Sequence, residues 1–243
     1  MENTKNKPRV LITYIESGMG HIMSAKAVSD GLKENFSDRI EVVETQIMRD
    51  SNSKEQIRFE KFLTNQTKAT NKYKFYAPVV FTIMNIGKQK FMRFLHHTIF
   101  KKATDATVEA LRSFNADVIV STHYFITFCA IELKRRYQPD LLVACYNPDN
   151  NVHVWWDNRS DLFITNNKIA AEEAVEKRNF DKNSVKTVFF LAREQVVKAN
   201  GSKEDYRLKY GIDKDSFTVM IADGAYASAK AKSYCNALLK ENL

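Results

Sequence analysis

The chain has 243 residues, of which 44% are hydrophobic and 27% charged. This composition is typical of a globular protein and excludes a disordered chain, and the seven glycines and four prolines are too few for a β-sandwich with many turns. No apolar run approaches the ~18 residues of a membrane-spanning helix, since the longest, at 77–86, is too short. The N-terminus lacks the pattern of a signal peptide. At about 100–200 residues per domain, the length predicts one large domain or two small ones.

The chain opens with the pattern of a βαβ unit. Residues 9–15 form a continuous apolar run that is typical of a buried parallel strand. A glycine-containing turn follows, and the apolar spacing over 21–35 predicts a helix. A second strand is predicted at 40–43. This order is that of a doubly wound α/β fold.

The net charge of +8 is concentrated in the next segment. Residues 54–102 carry eleven basic and two acidic side chains, whereas the rest of the chain has 26 basic and 27 acidic ones. We predict helices over 54–113, with breaks at Pro78 and Gly87. Phe91, Leu95 and Ile99, with Phe94 alongside, mark one apolar face, and His96 and His97 are predicted to be surface residues.

The basic segment suggests a polyanionic partner. Residues 61–104 contain no acidic residue and eight aromatic ones, a composition that favours an anionic membrane surface over a solvated charged face or a nucleic-acid site. No nucleic-acid motif is found. The predicted membrane-binding residues are Lys72, Lys74, Lys88, Lys90, Phe91, Arg93, Phe94, Lys101 and Lys102.

Strands and helices alternate again after this segment, which predicts an α/β domain with a parallel sheet. Strands are predicted at 116–121, 141–145, 161–165 and 185–190, with helices at 125–137 and 168–178; residues 152–156 are either a short strand or a loop. Residues 193–203 resemble a linker. A short helix at 205–210, a strand at 217–222 and a helix at 227–240 then form one more βα unit.

Metal binding is not predicted. Cys129, Cys145 and Cys235 are an odd, scattered set that is typical of reduced thiols in a cytosolic protein. The adjacent His96 and His97 have no further ligands at a suitable spacing.

The turn after the first strand holds the strongest candidate for a catalytic residue. Gly18 and Gly20 allow positive φ and a close approach of a ligand to the backbone. His21 stands at the start of a helix, where the dipole disfavours the imidazolium and so keeps the ring able to accept a proton. Glu16, five residues earlier, could orient it. The alternative is that His21 only caps the helix or contacts solvent.

Two further residues are candidates for lining a binding cleft. His123 follows the strand predicted at 116–121, and ligands bind outside the carboxyl ends of strands in open α/β sheets; the alternative is that it only closes the strand. Trp155 either stacks on a substrate or belongs to the core or its rim.

The segment VLITYIESGMGH at 10–21, followed by Ser24-Ala25-Lys26-Ala27, resembles the N-terminal domain of the monogalactosyldiacylglycerol synthase and processive diacylglycerol glucosyltransferase family. ADVIVSTH at 116–123, the tryptophan and strand at 154–164 and the segment 206–212 resemble further family segments in the same order. Asn147-Pro148-Asp149 stands where the family has Thr-Asp-Phe. The family comprises GT-B glycosyltransferases that move a sugar from a UDP-sugar to diacylglycerol.

The resemblance implies roles for the candidate residues. His21 matches the base toward the acceptor hydroxyl and Glu16 the acidic residue that supports it, while Gly18, Gly20, His123 and Trp155 would form the acceptor loops. The expected partners are a UDP-sugar as donor substrate, a diacylglycerol-type acceptor and anionic lipids on the inner face of the cell membrane, with no cofactor, metal or nucleic acid. The alternatives are a glycosyltransferase for another lipid acceptor and a non-catalytic lipid-binding module.

The resemblance also predicts the domain organisation. Residues 1–192 would form the acceptor-side Rossmann-like domain, 193–215 a linker, and 216–243 the start of a donor-binding domain, with Gly224 in its donor-binding turn. On this reading the chain holds the acceptor side but lacks most of the donor domain, and it is expected to be inactive when isolated.

Overall fold

The computed structural model describes residues 7–16, 18–51, 53–73, 75–222 and 231–240. Six strands of this part form one parallel sheet in the order β2-β1-β3-β4-β5-β6. They are β1 (Arg9–Thr13), β2 (Glu41–Thr45), β3 (Val118–Ser121), β4 (Leu142–Asn147), β5 (Leu162–Thr165) and β6 (Val185–Thr187). The predicted α/β class with a Rossmann-like parallel sheet is confirmed.

Helices connect the strands and flank the sheet. They are α1 (Met19–Phe36), α2 (Ile47–Asp50), α3 (Lys54–Lys72), α4 (Tyr76–Ile86), α5 (Gln89–His97), α6 (Lys101–Arg112), α7 (Tyr124–Arg136), α8 (Lys168–Glu176), α9 (Glu194–Val197), α10 (Lys203–Lys209) and α11 (Ala231–Leu238). None of the described helices has both the length and the apolar character needed to cross a bilayer.

The core lies on both faces of the sheet because successive strand residues point to opposite sides. Leu11 and Ile119 face the larger cluster, where α6 and α7 pack. Val10 and Ile12 face the smaller cluster, which α1 covers with Ala25. Burying such a side chain fully contributes about 1.5–3 kcal/mol, so the apolar runs that predict these strands also stabilise the sheet.

The strand order places a crevice between β1 and β3. From β1 the chain passes to β2 on one side, and β3 then pairs with the other side of β1 in the register Thr13 to Ser121. The loops that leave the carboxyl ends of β1 and β3 therefore diverge, and ligands of open α/β sheets bind at such a switch point.

The helical insertion between β2 and β3 follows its prediction except at one break. Pro78 does not end a helix, because it lies in the first turn of α4, where a proline removes no helical hydrogen bond. The preceding helix, α3, ends at Lys72, and Tyr73 is its C-cap residue. Gly87 does end α4, and a Cβ there would lie 2.7 Å from the carbonyl oxygen of Ile83, so only glycine fits without a shift.

The C-terminal part differs from its prediction. No strand forms at 217–222 among the described residues, because this apolar run has no neighbouring strand to supply a hydrogen-bond ladder. The turn with Gly224 lies in 223–230, outside the described residues. The predicted linker contains α9, whose end is tied to α1 by the ion pair of Lys198 with Glu34 at 3.2 Å. The division into domains stays a prediction.

Candidate functional site

The crevice between β1 and β3 brings together two histidines from distant segments. His21 lies in the first turn of α1, and His123 is the N-cap residue of α7. Their ring centroids are 4.9 Å apart. Thr122 joins the two segments, since its hydroxyl donates a hydrogen bond to the carbonyl oxygen of His21 at 2.9 Å. Both residues therefore lie where the strand order predicts a ligand.

The hydrogen bonds of His21 define which ring nitrogen can accept a proton. Nδ1 hydrogen-bonds the carbonyl oxygen of Thr122, and a carbonyl oxygen only accepts, so Nδ1 carries the hydrogen. In the neutral ring the lone pair is then on Nε2, which no described residue engages. Burial lowers the pKa of His21 below its ordinary value of 6.5, although the charge of Asp149 opposes this shift. The ring is thus neutral near pH 7, as a general base requires.

The carboxylate that acts on His21 belongs to Asp149. This residue follows β4, and burial raises its pKa while a positive charge on His21 lowers it. Glu16 instead faces away, with its carboxylate 3.6 Å from the guanidinium of Arg49 and 3.4 Å from the amide nitrogen of Gln46. Among the described residues no hydrogen bond or ion pair joins Glu16 to His21. The predicted partnership of Glu16 with His21 is therefore supported by no contact among the described residues, and we propose Asp149 as the partner.

His123 both caps a helix and lines the crevice. Its Nδ1 accepts a hydrogen bond from the backbone N–H of Phe125 at 3.2 Å, so Nε2 carries the hydrogen in the neutral ring. That Nε2 is buried without a partner in the described part of the chain. Burial, and then the nearby charge of His21, hold the pKa of His123 well below 6.5. His123 is therefore a neutral donor beside the candidate base.

A third histidine, His153, also lies in the site. Nδ1 of His153 accepts from the backbone N–H of Trp155 at 3.3 Å, and its Nε2 is 4.0 Å from a carboxylate oxygen of Asp149. Burial lowers the pKa of His153 to about 3. The ring of Tyr124 lies between His123, at 4.3 Å, and His153, at 5.1 Å between centroids.

Asp149 and His153 are not among the site residues predicted from the sequence. The available signal is their position after β4, whose carboxyl end lies at the same edge of the sheet as those of β1 and β3. A second signal is the Asn147-Pro148-Asp149 segment, in which Asp149 is one residue away from the aspartate of the family's Thr-Asp-Phe.

The glycine turn before His21 has one position that requires glycine. Gly18 has a φ of 123°, which other residues rarely adopt. A Cβ at Gly18 or Gly20 would meet no atom within 4 Å, so the space beside this backbone is open. A role for either glycine in acceptor binding stays a prediction.

Most of the predicted membrane-binding residues are exposed. These are Lys72, Lys88, Lys90, Phe91, Phe94, Lys101 and Lys102. Arg93 differs, because its guanidinium lies 3.1 Å from the buried carboxylate of Asp157 and so ties α5 to the loop after β4. Its role in membrane binding stays a prediction. Lys74 lies outside the described residues.

Helix α4 presents an apolar surface. It carries no charged residue, and none of its side chains is buried. Phe81 is 51% exposed and Ile86 76% exposed. Exposed apolar patches of this kind mark interaction sites, and lysines lie on both sides of this helix in the sequence.

His96 lies in the interior rather than at the surface. It is 2% exposed, and its ring stacks on Phe128 at a centroid distance of 4.1 Å. Burial lowers the pKa of His96 to about 4. On α5 the buried positions are thus Met92 and His96, whereas the apolar face that includes Phe91 and Phe94 is exposed.

Trp155 belongs to the rim of the interior. Its ring contacts His96, Phe100 and Tyr124 at centroid distances of 5.5, 6.2 and 5.9 Å.

Within the described residues no group of three or more His, Cys, Asp or Glu side chains is arranged to hold a metal ion.

Comparison with protein families gives one match. The family model described as monogalactosyldiacylglycerol (MGDG) synthase matches residues 21–188, which is more than half of the chain. The matched range contains His21, His123 and Asp149. A search among curated proteins found no significant match.

Proposed function

Because the chain belongs to the monogalactosyldiacylglycerol synthase family, we propose that it transfers a hexose from a UDP-sugar to the hydroxyl of diacylglycerol or a glycosyl-diacylglycerol at a membrane surface. The family assignment itself supports a glycolipid glycosyltransferase in general. The observation that carries the finer proposal is the hydrogen bond between Nδ1 of His21 and the carbonyl oxygen of Thr122. Because a carbonyl oxygen only accepts, this bond leaves the lone pair of the neutral ring on Nε2.

In this mechanism, Nε2 of His21 takes the proton of the lipid hydroxyl while the hydroxyl oxygen attacks the anomeric carbon of the hexose. The bond between that carbon and the phosphate oxygen breaks, and UDP leaves with the bonding electrons. The resulting imidazolium is stabilised by the carboxylate of Asp149. The neutral rings of His123 and His153 add no competing positive charge.

The exposed surface of the helical insertion supports action at a membrane. Apolar side chains of α4 can enter the interface, while exposed lysines such as Lys88 and Lys90 meet anionic headgroups. We therefore place the protein peripherally on the inner face of the cell membrane.

The proposed function is tested by incubating the natural full-length protein with radiolabelled UDP-hexoses and vesicles that contain diacylglycerol. We expect label in the lipid phase as glycosyl-diacylglycerol. Label only as free hexose, or none in lipid with any UDP-hexose, would contradict the proposal and favour a lipid-binding module.

The acidic partner of His21 can be identified from the pH dependence of transfer. The titratable groups that face His21 are Asp149, His123 and His153. Because the base acts when neutral, the rate should rise with pH through the pKa of His21, and this acidic limb should lie below pH 6.5. Asp149→Asn removes the charge that favours the imidazolium, so the limb should move to lower pH and the plateau should fall by about tenfold.

The matched control is Glu16→Gln, the same change at the carboxylate that faces Arg49. Its pH profile should superimpose on that of the unaltered enzyme. If Glu16→Gln shifts the limb and Asp149→Asn does not, then Glu16 is the partner of His21 and the assignment to Asp149 is wrong.

A further inference from the structure

An apolar cavity lies beside the candidate site, between the helical insertion and the start of α7. Its volume is about 230 Å³. The walls are formed by side chains from α3 and α4, the segment before α6 and the loop after β4: Leu63, Val80, Ile83, Phe100 and Trp155. A cavity with such walls is suited to a hydrocarbon chain rather than to a sugar or a nucleotide.

The cavity reaches close to the candidate base. Tyr124 forms part of its wall, and the Tyr124 ring is 4.3 Å from His123, whose ring is 4.9 Å from that of His21. Two ring contacts therefore connect the cavity to His21. In a glycerolipid whose free hydroxyl lies at His21, the acyl chains are attached to the neighbouring glycerol carbons. They therefore begin close to this cavity.

Side chains with polar atoms, among them Gln66, His96 and Tyr124, line this largely apolar space. His96 lines the cavity, and neither of its ring nitrogens has a hydrogen-bond partner among the described residues. A buried polar group without a partner costs free energy. The neutral ring has one N–H to donate, and an ester carbonyl at the head of an acyl chain would satisfy it.

The cavity also borders the surface that meets the membrane. Val80 and Ile83 of α4 line it. Ile83 is itself 49% exposed, and Val79 on the same helix is 58% exposed. The cavity wall and the exposed apolar surface therefore share α4, so a chain that leaves a bilayer at this helix has a short path into the protein.

We propose that this cavity receives one acyl chain of the lipid acceptor, whose ester carbonyl accepts a hydrogen bond from His96. The identity of the acceptor rests on the proposed function. The binding itself does not depend on sugar transfer and can be measured without a UDP-sugar.

Tryptophan fluorescence reports occupation of the cavity. The chain has two tryptophans, and Trp155 lines the cavity. A short-chain diacylglycerol with brominated acyl chains, added without vesicles, should quench Trp155 emission, and Trp155→Phe should remove that quenching. Val80→Phe fills the cavity and should weaken the apparent affinity at least about tenfold, whereas the matched change Val79→Phe on the exposed side should leave it unchanged.

Two lipids test the hydrogen bond of His96. The unaltered protein should bind the brominated diester about three- to tenfold more tightly than the corresponding diether, which lacks the carbonyls. His96→Phe keeps the stacking on Phe128 and should abolish this preference. Equal binding of ester and ether by the unaltered protein would overturn the role of His96.

The cavity assignment is overturned if the brominated lipid gives no quenching, or if Val79→Phe and Val80→Phe weaken binding equally. A diacylglycerol with a diazirine on one chain gives a second readout on the unaltered protein. Its crosslinks should map to residues of the cavity wall, and crosslinks confined to Phe91 and Phe94 on the exposed face of α5 would contradict the proposal. Cavity binding without sugar transfer would overturn the proposed function alone; transfer without cavity binding would overturn this inference alone.

Discussion

Replacing His21 by alanine should lower the rate of sugar transfer by about 10²–10⁴-fold, the usual contribution of a general base. A lipid hydroxyl is a poor nucleophile, and its proton must leave as the new bond forms. His21 is the ring in the crevice whose Nε2 lone pair is free, because Nδ1 is held by Thr122. Transfer is measured with the natural full-length protein on vesicles that contain diacylglycerol.

Vesicle binding provides the control for this variant. The residues predicted to bind the membrane lie between α3 and the start of α6, in another segment from the first turn of α1, so His21→Ala should float with vesicles as the unaltered protein does. A variant that binds vesicles and turns over at nearly the normal rate would remove His21 from the mechanism.

Replacing Lys72, Lys88, Lys90 and Lys102 together by glutamine should weaken binding to anionic vesicles by about a thousandfold. Each lysine near anionic lipid contributes about 1 kcal/mol, and about 1.4 kcal/mol corresponds to a factor of ten. All four side chains are exposed in the basic segment. Cosedimentation with vesicles over a salt titration measures the effect, which should diminish as salt screens the charges.

The matched control replaces four exposed lysines outside the basic segment by glutamine, so the net charge changes equally in the two variants. These lysines are Lys182, Lys186, Lys203 and Lys209. The control should leave vesicle affinity nearly unchanged, because the net charge is altered but not the docking surface. Equal losses for the two sets would show a non-specific charge effect. Equal binding of the unaltered protein to neutral vesicles would contradict the electrostatic model.

The sheet could be predicted from the sequence because its strands are buried on both faces. Such strands require continuous apolar runs, as in β1 and β3, and glycine and polar residues separate them from the helices. The run at 217–222 shows the limit of this signal. It is equally apolar, but a strand also needs a partner, and local composition does not show whether one is present.

The candidate site was only partly predictable. His21 and His123 could be found because each lies at the start of the helix that follows a strand meeting the crevice. The contact of Glu16 with Arg49 could not be predicted, because closeness in sequence does not fix the direction of a side chain. Asp149 reaches the site only through the pairing of β4 with β3, which depends on the sheet order.

The two sides of α5 were also hard to assign from sequence. Aromatic residues normally indicate the core, yet Phe91 and Phe94 are exposed while His96 is buried. The exposed aromatic side of α5 agrees with the proposal that this side contacts lipid, while the side with His96 packs against the protein interior. Hydrophobic periodicity reports an apolar face but not which apolar environment covers it.

The central claim, that neutral His21 offers Nε2 as the base, is tested most directly by ¹⁵N NMR of the histidine side chains at several pH values. The account predicts that at pH 7 Nδ1 of His21 is protonated and Nε2 is not, and that the ring titrates below pH 6.5. An Nε2–H tautomer at pH 7, or a pKa of His21 above 6.5, would contradict it.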